Sequence, residues 1–133
     1  MPSHFILYVA DQARSSAFYA RVLDRTPRLN VPGMTEFDLP GGGVLGLMPE
    51  AAIKALLGAK LPDPSGAGGA PRCELYLLLD APQSFHARSL AAGGRELSPL
   101  EPRGWGHSAA YSLDPDGHVV AFAAVTARRE GAA

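Results

Sequence analysis

The chain repeats itself, and this limits its fold more than any other feature of the sequence. Residues 4–10, HFILYVA, are β-branched and aromatic enough for a strand, residues 74–80, ELYLLLD, form a second apolar run of strand length, and each precedes a stretch compatible with a helix. Displacing one half on the other by 70 positions lays Phe5, Leu7 and Val9 on Leu75, Leu77 and Leu79, all apolar. Alternation along a strand then turns these six toward helices and puts His4, Ile6 and Tyr8, with Glu74, Tyr76 and Leu78, on the opposite face. His4 and Glu74 become equivalent positions. A displacement of 69 would match Asp11 with Asp80, but it turns Glu74 onto the helix-covered face, where an unpaired carboxylate costs several kcal/mol.

The rest of each half follows the same plan. After the first strand, Asp11 or Ser15 can cap a helix that carries Phe18, Tyr19, Val22 and Leu23 at i, i+4 spacings. Residues 34–39 and 44–48 read as a hairpin across the PGGG turn, and Pro49 opens a short helix through Leu57 that Gly58 ends. Residues 61–71, LPDPSGAGGAP, form a loop with almost nothing to pack. In the second half Pro82 opens a helix that stops at Gly93-Gly94, with His86 expected on its solvent side. A weak strand over 95–100, a better one over 108–113, the DPDG turn at 114–117 and a strand over 118–125 complete it. The expected organisation is a first βαβββ module with an added short helix over 1–60, a linker over 61–72, a second βαβββ module over 73–127 and a tail over 128–133.

Composition removes several classes of partner. With 47% apolar and 19% charged residues the chain is globular, and its net charge of -1 offers no basic footprint for nucleic acid and no polybasic face for a membrane. No apolar run approaches the length that crosses a bilayer, and the N-terminus lacks a signal-peptide pattern. The single Cys73 cannot close an intramolecular disulfide. These readings lead to a cytoplasmic protein whose partner is a small molecule.

Two motifs in register with the repeat carry a resemblance. The opening one is His4, Val9, Asp11, Ser15, Phe18, Tyr19 and Leu23; the closing one is WGHSAAYSLDPDGHVVAF, from Trp105 to Phe122. Together they resemble the vicinal oxygen chelate superfamily, which includes glyoxalase I, extradiol dioxygenases and the bleomycin- and fosfomycin-resistance proteins. The resemblance implies an α+β fold of two paired βαβββ modules, with curved mixed sheets around a central cleft, and a homodimer. Asp24 departs from the pattern, which usually has Gly there.

In metal-dependent members of that superfamily each module supplies one ligand from its first strand and one from its last. His4 matches the first position and Glu74 stands where the second module's His would be. Ala121 occupies the second module's carboxylate position, and no Asp, Glu, His or Gln lies between Gly41 and Pro49. One His and one carboxylate are too few for a catalytic divalent-metal site, which takes at least three protein ligands. His107 and His118 are the remaining candidates for a third donor, His118 the poorer because alternation sets it on the face opposite Ala121. No metal and no cofactor are therefore expected.

His4 and Glu74 are instead expected to face each other as a base and its orienting carboxylate, since a carboxylate fixes an imidazole's tautomer. Tyr8, Tyr76 and Tyr111 with Trp105 are candidates to line a cleft, each offering an apolar ring with one polar handle. Arg103, Trp105 and His107 lie in EPRGWGHS, a glycine-bearing loop suited to a binding rim. Ala121, small and on the inner face, leaves room for a ligand. The expected function is a metal-independent small-molecule-binding protein of the glyoxalase/bleomycin-resistance type. The alternatives are a metal-dependent glyoxalase-like lyase or isomerase and a drug-sequestering resistance protein, the latter disfavoured by a charge too small to attract a cationic drug.

Overall fold

The computed structural model describes residues 1–126, so the tail expected over 128–133 lies outside the described residues. The first module runs β1 (His4–Val9), α1 (Gln12–Leu23), β2 (Leu29–Val31), β3 (Met34–Asp38) and β4 (Val44–Pro49), followed by α2 (Glu50–Leu57). The second runs β5 (Glu74–Leu78), α3 (Pro82–Ala91), β6 (Arg95–Pro102), β7 (His107–Leu113) and β8 (Val119–Val125). Each module forms a four-stranded mixed sheet, ordered β1-β4-β3-β2 and β5-β8-β7-β6, with its first and last strands parallel at one edge. The α+β architecture of paired βαβββ modules is thus the one the repeat implies.

The registers make the repeat quantitative. His4 pairs with Val44 and Ile6 with Gly46, while Glu74 pairs with Val119 and Tyr76 with Ala121. Gly46 and Ala121 are therefore equivalent, as are His4 and Glu74.

Local chemistry explains the elements. The Asp11 side chain accepts from the Arg14 amide and caps α1, and Asp24 ends that helix in a left-handed conformation at φ 52°. Left-handed backbone is what glycine adopts most easily, which accounts for the residue usual at this position in the resembling family. β6 carries Pro99 and Pro102, shows register shifts against β7 and is the exposed edge strand, the setting in which prolines and irregularities are tolerated.

The helix-facing sides of both sheets merge into one core. Leu7, Val9, Phe18, Tyr19, Val22 and Leu23 pack with Phe37, Leu45 and Leu47, and these with Leu75, Leu77, Val120 and Phe122 of the second module. Burying the cores of two small modules in one is what a chain of this length needs for stability. Three expectations change here. Phe5 is 49% exposed rather than covered by a helix, because α1 does not extend over the start of β1. His86 is buried, not solvent-facing: it packs at 5.8 Å from the Phe122 ring, and its Nε2 lies 2.8 Å from Glu96 Oε2. The 61–71 loop also packs, since the buried Gly117 sits so close to the Gly69 carbonyl that a Cβ there would collide with it.

A polar clasp joins the modules. The DPDG turn sends Asp114 Oδ2 to the fully buried Tyr19 hydroxyl (2.6 Å), Asp116 Oδ2 to Ser15 Oγ (2.8 Å) and Asp116 Oδ1 to the Ala10 amide (2.8 Å). His118 Nε2 reaches the Tyr8 carbonyl at 3.0 Å. The two motifs thus meet as one structural joint. No helix among the described residues is long and apolar enough to cross a membrane.

Candidate functional site

The face of the second sheet turned away from the helices gathers most of the expected site residues. Tyr76, Ala121 and Tyr111 stand side by side on β5, β8 and β7, with the fully buried Ala121 between two phenols. Gly106, at φ 87°, turns the β6–β7 loop so that the residues on either side of it converge on Tyr76. Trp105 Nε1 lies 2.9 Å from Tyr76 Oη, and His107 Nδ1 lies 2.6 Å from the same oxygen. An indole can only donate, so the phenol oxygen accepts from Trp105, and it shares a second hydrogen bond with His107 Nδ1. The result is a hydrogen-bonded chain of Trp105, Tyr76 and His107 in which a phenol and an imidazole share a short hydrogen bond. Trp105 is 56% exposed, so its ring is available as a stacking surface.

Glu74 borders this cluster. Partial burial, then the Glu74 carboxylate and Tyr76, push the Tyr111 phenol above its ordinary pKa, with Arg103 opposing. Arg103 lies with its guanidinium 5.2 Å over the Tyr111 ring, but its donors are engaged: Nε and Nη2 bond the Ala109 carbonyl, and Nη2 also reaches Ser98 Oγ and the Pro99 carbonyl. Its role in this arrangement is to brace the loop behind the aromatic cluster.

His4 and Tyr8 are elsewhere, and the contact expected between His4 and Glu74 is not formed. His4 Nδ1 lies 3.4 Å from Glu36 Oε2, on β3, and Arg28 Nε lies 3.7 Å from the other oxygen of that carboxylate. Glu36 pairs with Gly46, which pairs in turn with Ile6, two residues along β1 from His4, so the carboxylate and the imidazole share one face of the sheet. The physical reason for the lost contact is strand direction. His118, next to the strand partner of Glu74, bonds the carbonyl of Tyr8, so the start of β5 lies beside the end of β1. His4 is four residues further back along β1, about 13 Å at strand rise. Glu36 stands on β3 and not on the last strand of the module, where the superfamily's carboxylate lies, so the family pattern does not point to it. The alternation of buried Thr35 and Phe37 around it was the available signal.

The donors do not fit the metal site of the resembling family. The last-strand positions are Gly46 and Ala121, neither with a donor, and a Cβ at Gly46 would lie 3.0 Å from Ile6 Cγ1 and 3.1 Å from Met34 Sδ, leaving no space for a longer side chain without movement. Among the described residues no three His, Cys, Asp or Glu side chains are grouped to hold a metal ion. His118 is committed to Tyr8 and lies 3.4 Å from Cys73 Sγ.

Comparison with known proteins agrees with this architecture. The model of the Glyoxalase/Bleomycin resistance protein/Dioxygenase superfamily matches residues 2–122. Among solved structures, a glyoxalase-related enzyme from Fulvimarina pelagi superposes with a TM-score of 0.77 at 23% identity, covering 93% of this chain and 87% of that one. A glyoxalase/bleomycin resistance protein/dioxygenase from Nocardioides gives 0.75 at 21% identity, covering 98% and 87%. A family enzyme from Burkholderia phytofirmans PsJN gives 0.73 at 20%, covering 92% and 97%. At these identities the likeness is one of fold. Comparison with curated proteins returns no match.

Proposed function

The chain belongs to the Glyoxalase/Bleomycin resistance protein/Dioxygenase superfamily, and from that premise we propose that it binds a small aromatic or otherwise planar molecule on the open face of its second sheet, without a metal. The observation that carries this reading is the Trp105–Tyr76–His107 chain. It places an exposed indole, a phenol and an imidazole around one point on the open face of the sheet. A planar ligand stacks on Trp105 while the Tyr76 hydroxyl or His107 Nε2 supplies orientation, the usual division of labour in small-molecule sites. Glu74 sets the negative side of this site, and His4, paired with Glu36, has no part in it.

Trp105 is the only tryptophan of the chain, so its emission reports this site alone. Titration with a panel of phenols, quinones and aromatic carbonyl compounds is expected to quench or shift that emission saturably for at least one class. Tyr76→Phe should weaken that binding about tenfold, the equivalent of one hydrogen bond. No saturable change across the panel overturns the proposal. Binding or glutathione-dependent turnover of methylglyoxal that requires added nickel or zinc favours a lyase instead.

Homodimer formation belongs to the same proposal. It is supported by the family resemblance and by the half-exposed Leu29 and Val31, which stand on the open face of the first sheet at its β2 edge. A second copy of the chain would cover them. Light scattering should give twice the chain mass, reduced to one by Val31→Glu; a monomer at all concentrations overturns it.

A further inference from the structure

A cavity of about 490 Å³ lies along the free edge of β1 and shares no residue with the aromatic cluster. Residues 5–8 form one wall, and Leu61, Pro62 and Pro64 of the connecting loop form the other. Arg72, Cys73 and His118 also line it. The walls are apolar, and the volume falls within the roughly 300–1,000 Å³ of small-molecule sites.

The polar end has a defined charge. The Tyr8 carbonyl can only accept, so His118 Nε2 donates to it (3.0 Å), while Nδ1 lies 3.4 Å from Cys73 Sγ and Arg72 Nη2 sits 3.4 Å and 3.5 Å from the two ring nitrogens. Arg72 spends one nitrogen on the Ala70 carbonyl (2.6 Å), and among the described residues no carboxylate lies within ion-pairing distance of its guanidinium. The only carboxylate that lines the cavity, Asp63, is turned into its own loop, where Oδ1 accepts from the Ser65 amide (3.0 Å) and hydroxyl (2.8 Å). An apolar groove thus runs up to one solvent-exposed cation that has no carboxylate partner among the described residues, and a planar guanidinium suits a carboxylate.

We propose that this cavity binds a compact monocarboxylate with an aliphatic or aromatic body, its carboxylate on Arg72 and its body between β1 and the loop, against the Cys73 thiol. Cys73 is the only cysteine, and its accessibility reports occupancy. Octanoate and phenylacetate, added to the full chain, are expected to slow maleimide labelling of Cys73 at least fivefold, with octanol much less effective. Arg72→Gln should abolish the protection and Arg72→Lys should retain part of it. In amide NMR spectra octanoate should shift Ala67 and Cys73 while leaving the Trp105 indole resonance in place, which separates this site from the aromatic one. Labelling unaffected by octanoate together with unshifted Ala67 and Cys73 amides overturns the proposal, as does protection that survives intact in Arg72→Gln.

Discussion

The hydroxyl of Tyr19, on a helix of the first module, donates 2.6 Å to Asp114 Oδ2 in a turn of the second, and both residues are buried. Asp114 Oδ1 meanwhile accepts from the amides of Asp116 (2.8 Å) and His118 (2.9 Å). One carboxylate therefore holds its own turn closed and ties it to the other module. Removing the phenol leaves that carboxylate facing an apolar ring. Tyr19→Phe is expected to lower stability by about 1.5–3 kcal/mol, the range for hydrogen bonds to charged groups, measured by denaturant unfolding. A loss below about 0.5 kcal/mol would mean that the clasp adds nothing to packing.

The same pair gives the fold an alkaline limit. Burial, and after it the Asp114 carboxylate, hold the Tyr19 phenol well above its ordinary pKa. The unfolded phenol ionises near 10, so the stabilisation is complete below that pH. It is lost as pH rises from the unfolded value toward the raised folded one, because only the unfolded chain releases the proton in that interval. Thermal midpoints should fall more steeply above about pH 10 in the wild type than in Tyr19→Phe. Parallel curves for the two proteins would show that another group sets the alkaline limit.

What the sequence makes legible is what alternation and apolar periodicity encode. The two βαβββ modules follow from it, and so does the equivalence of His4 with Glu74; the parallel pairing of each module's first and last strands does not. Its failures are physical too. β2 has three exposed residues between Pro27 and Pro32 and carries no period to read. The buried stripe of α3 is Pro82, His86 and Ser89, and Ser89 Oγ meets Ser112 Oγ at 2.8 Å in the interior. A polar stripe whose partners, Glu96 and Ser112, lie on other elements looks like a solvent face until those partners are known, even though His86 Nδ1 stays buried without one. At the candidate site, Tyr76, Trp105, His107, Tyr111 and Ala121 assemble because β5, β7 and β8 are neighbours. His4 and Tyr8 stand apart because β1 and β5 run in opposite directions past each other, an arrangement no intramodule pattern records.

The loop over 61–71 is anchored through Gly117, whose φ of 85° already excludes most side chains and whose missing Cβ makes room for the Gly69 backbone. Gly117→Ala should cost at least about 2 kcal/mol, combining left-handed strain with displacement of the loop. Because that loop also walls the cavity beside β1, Cys73 labelling should accelerate in the same variant. Unchanged labelling with unchanged stability would mean that the loop is not held by this contact.

Asp24 is the only described residue other than glycine with positive φ, at 52°, and it sits at the carboxyl end of α1. Two effects oppose it there. A left-handed conformation costs an L-residue roughly 1–2 kcal/mol, less for Asp than for most, and a negative charge at a helix C-terminus meets the negative end of the helix dipole. Asp24→Gly removes both and adds unfolded-state entropy, so a net gain of about 0.5–1 kcal/mol is expected. Asp24→Asn keeps the backbone cost and removes only the charge, for a gain of about 0.3 kcal/mol at low salt that shrinks as salt rises. The Asn variant matching the Gly variant at low salt would assign the whole effect to charge. A loss of stability in both would instead require a native contact of the Asp24 carboxylate that outweighs its strain.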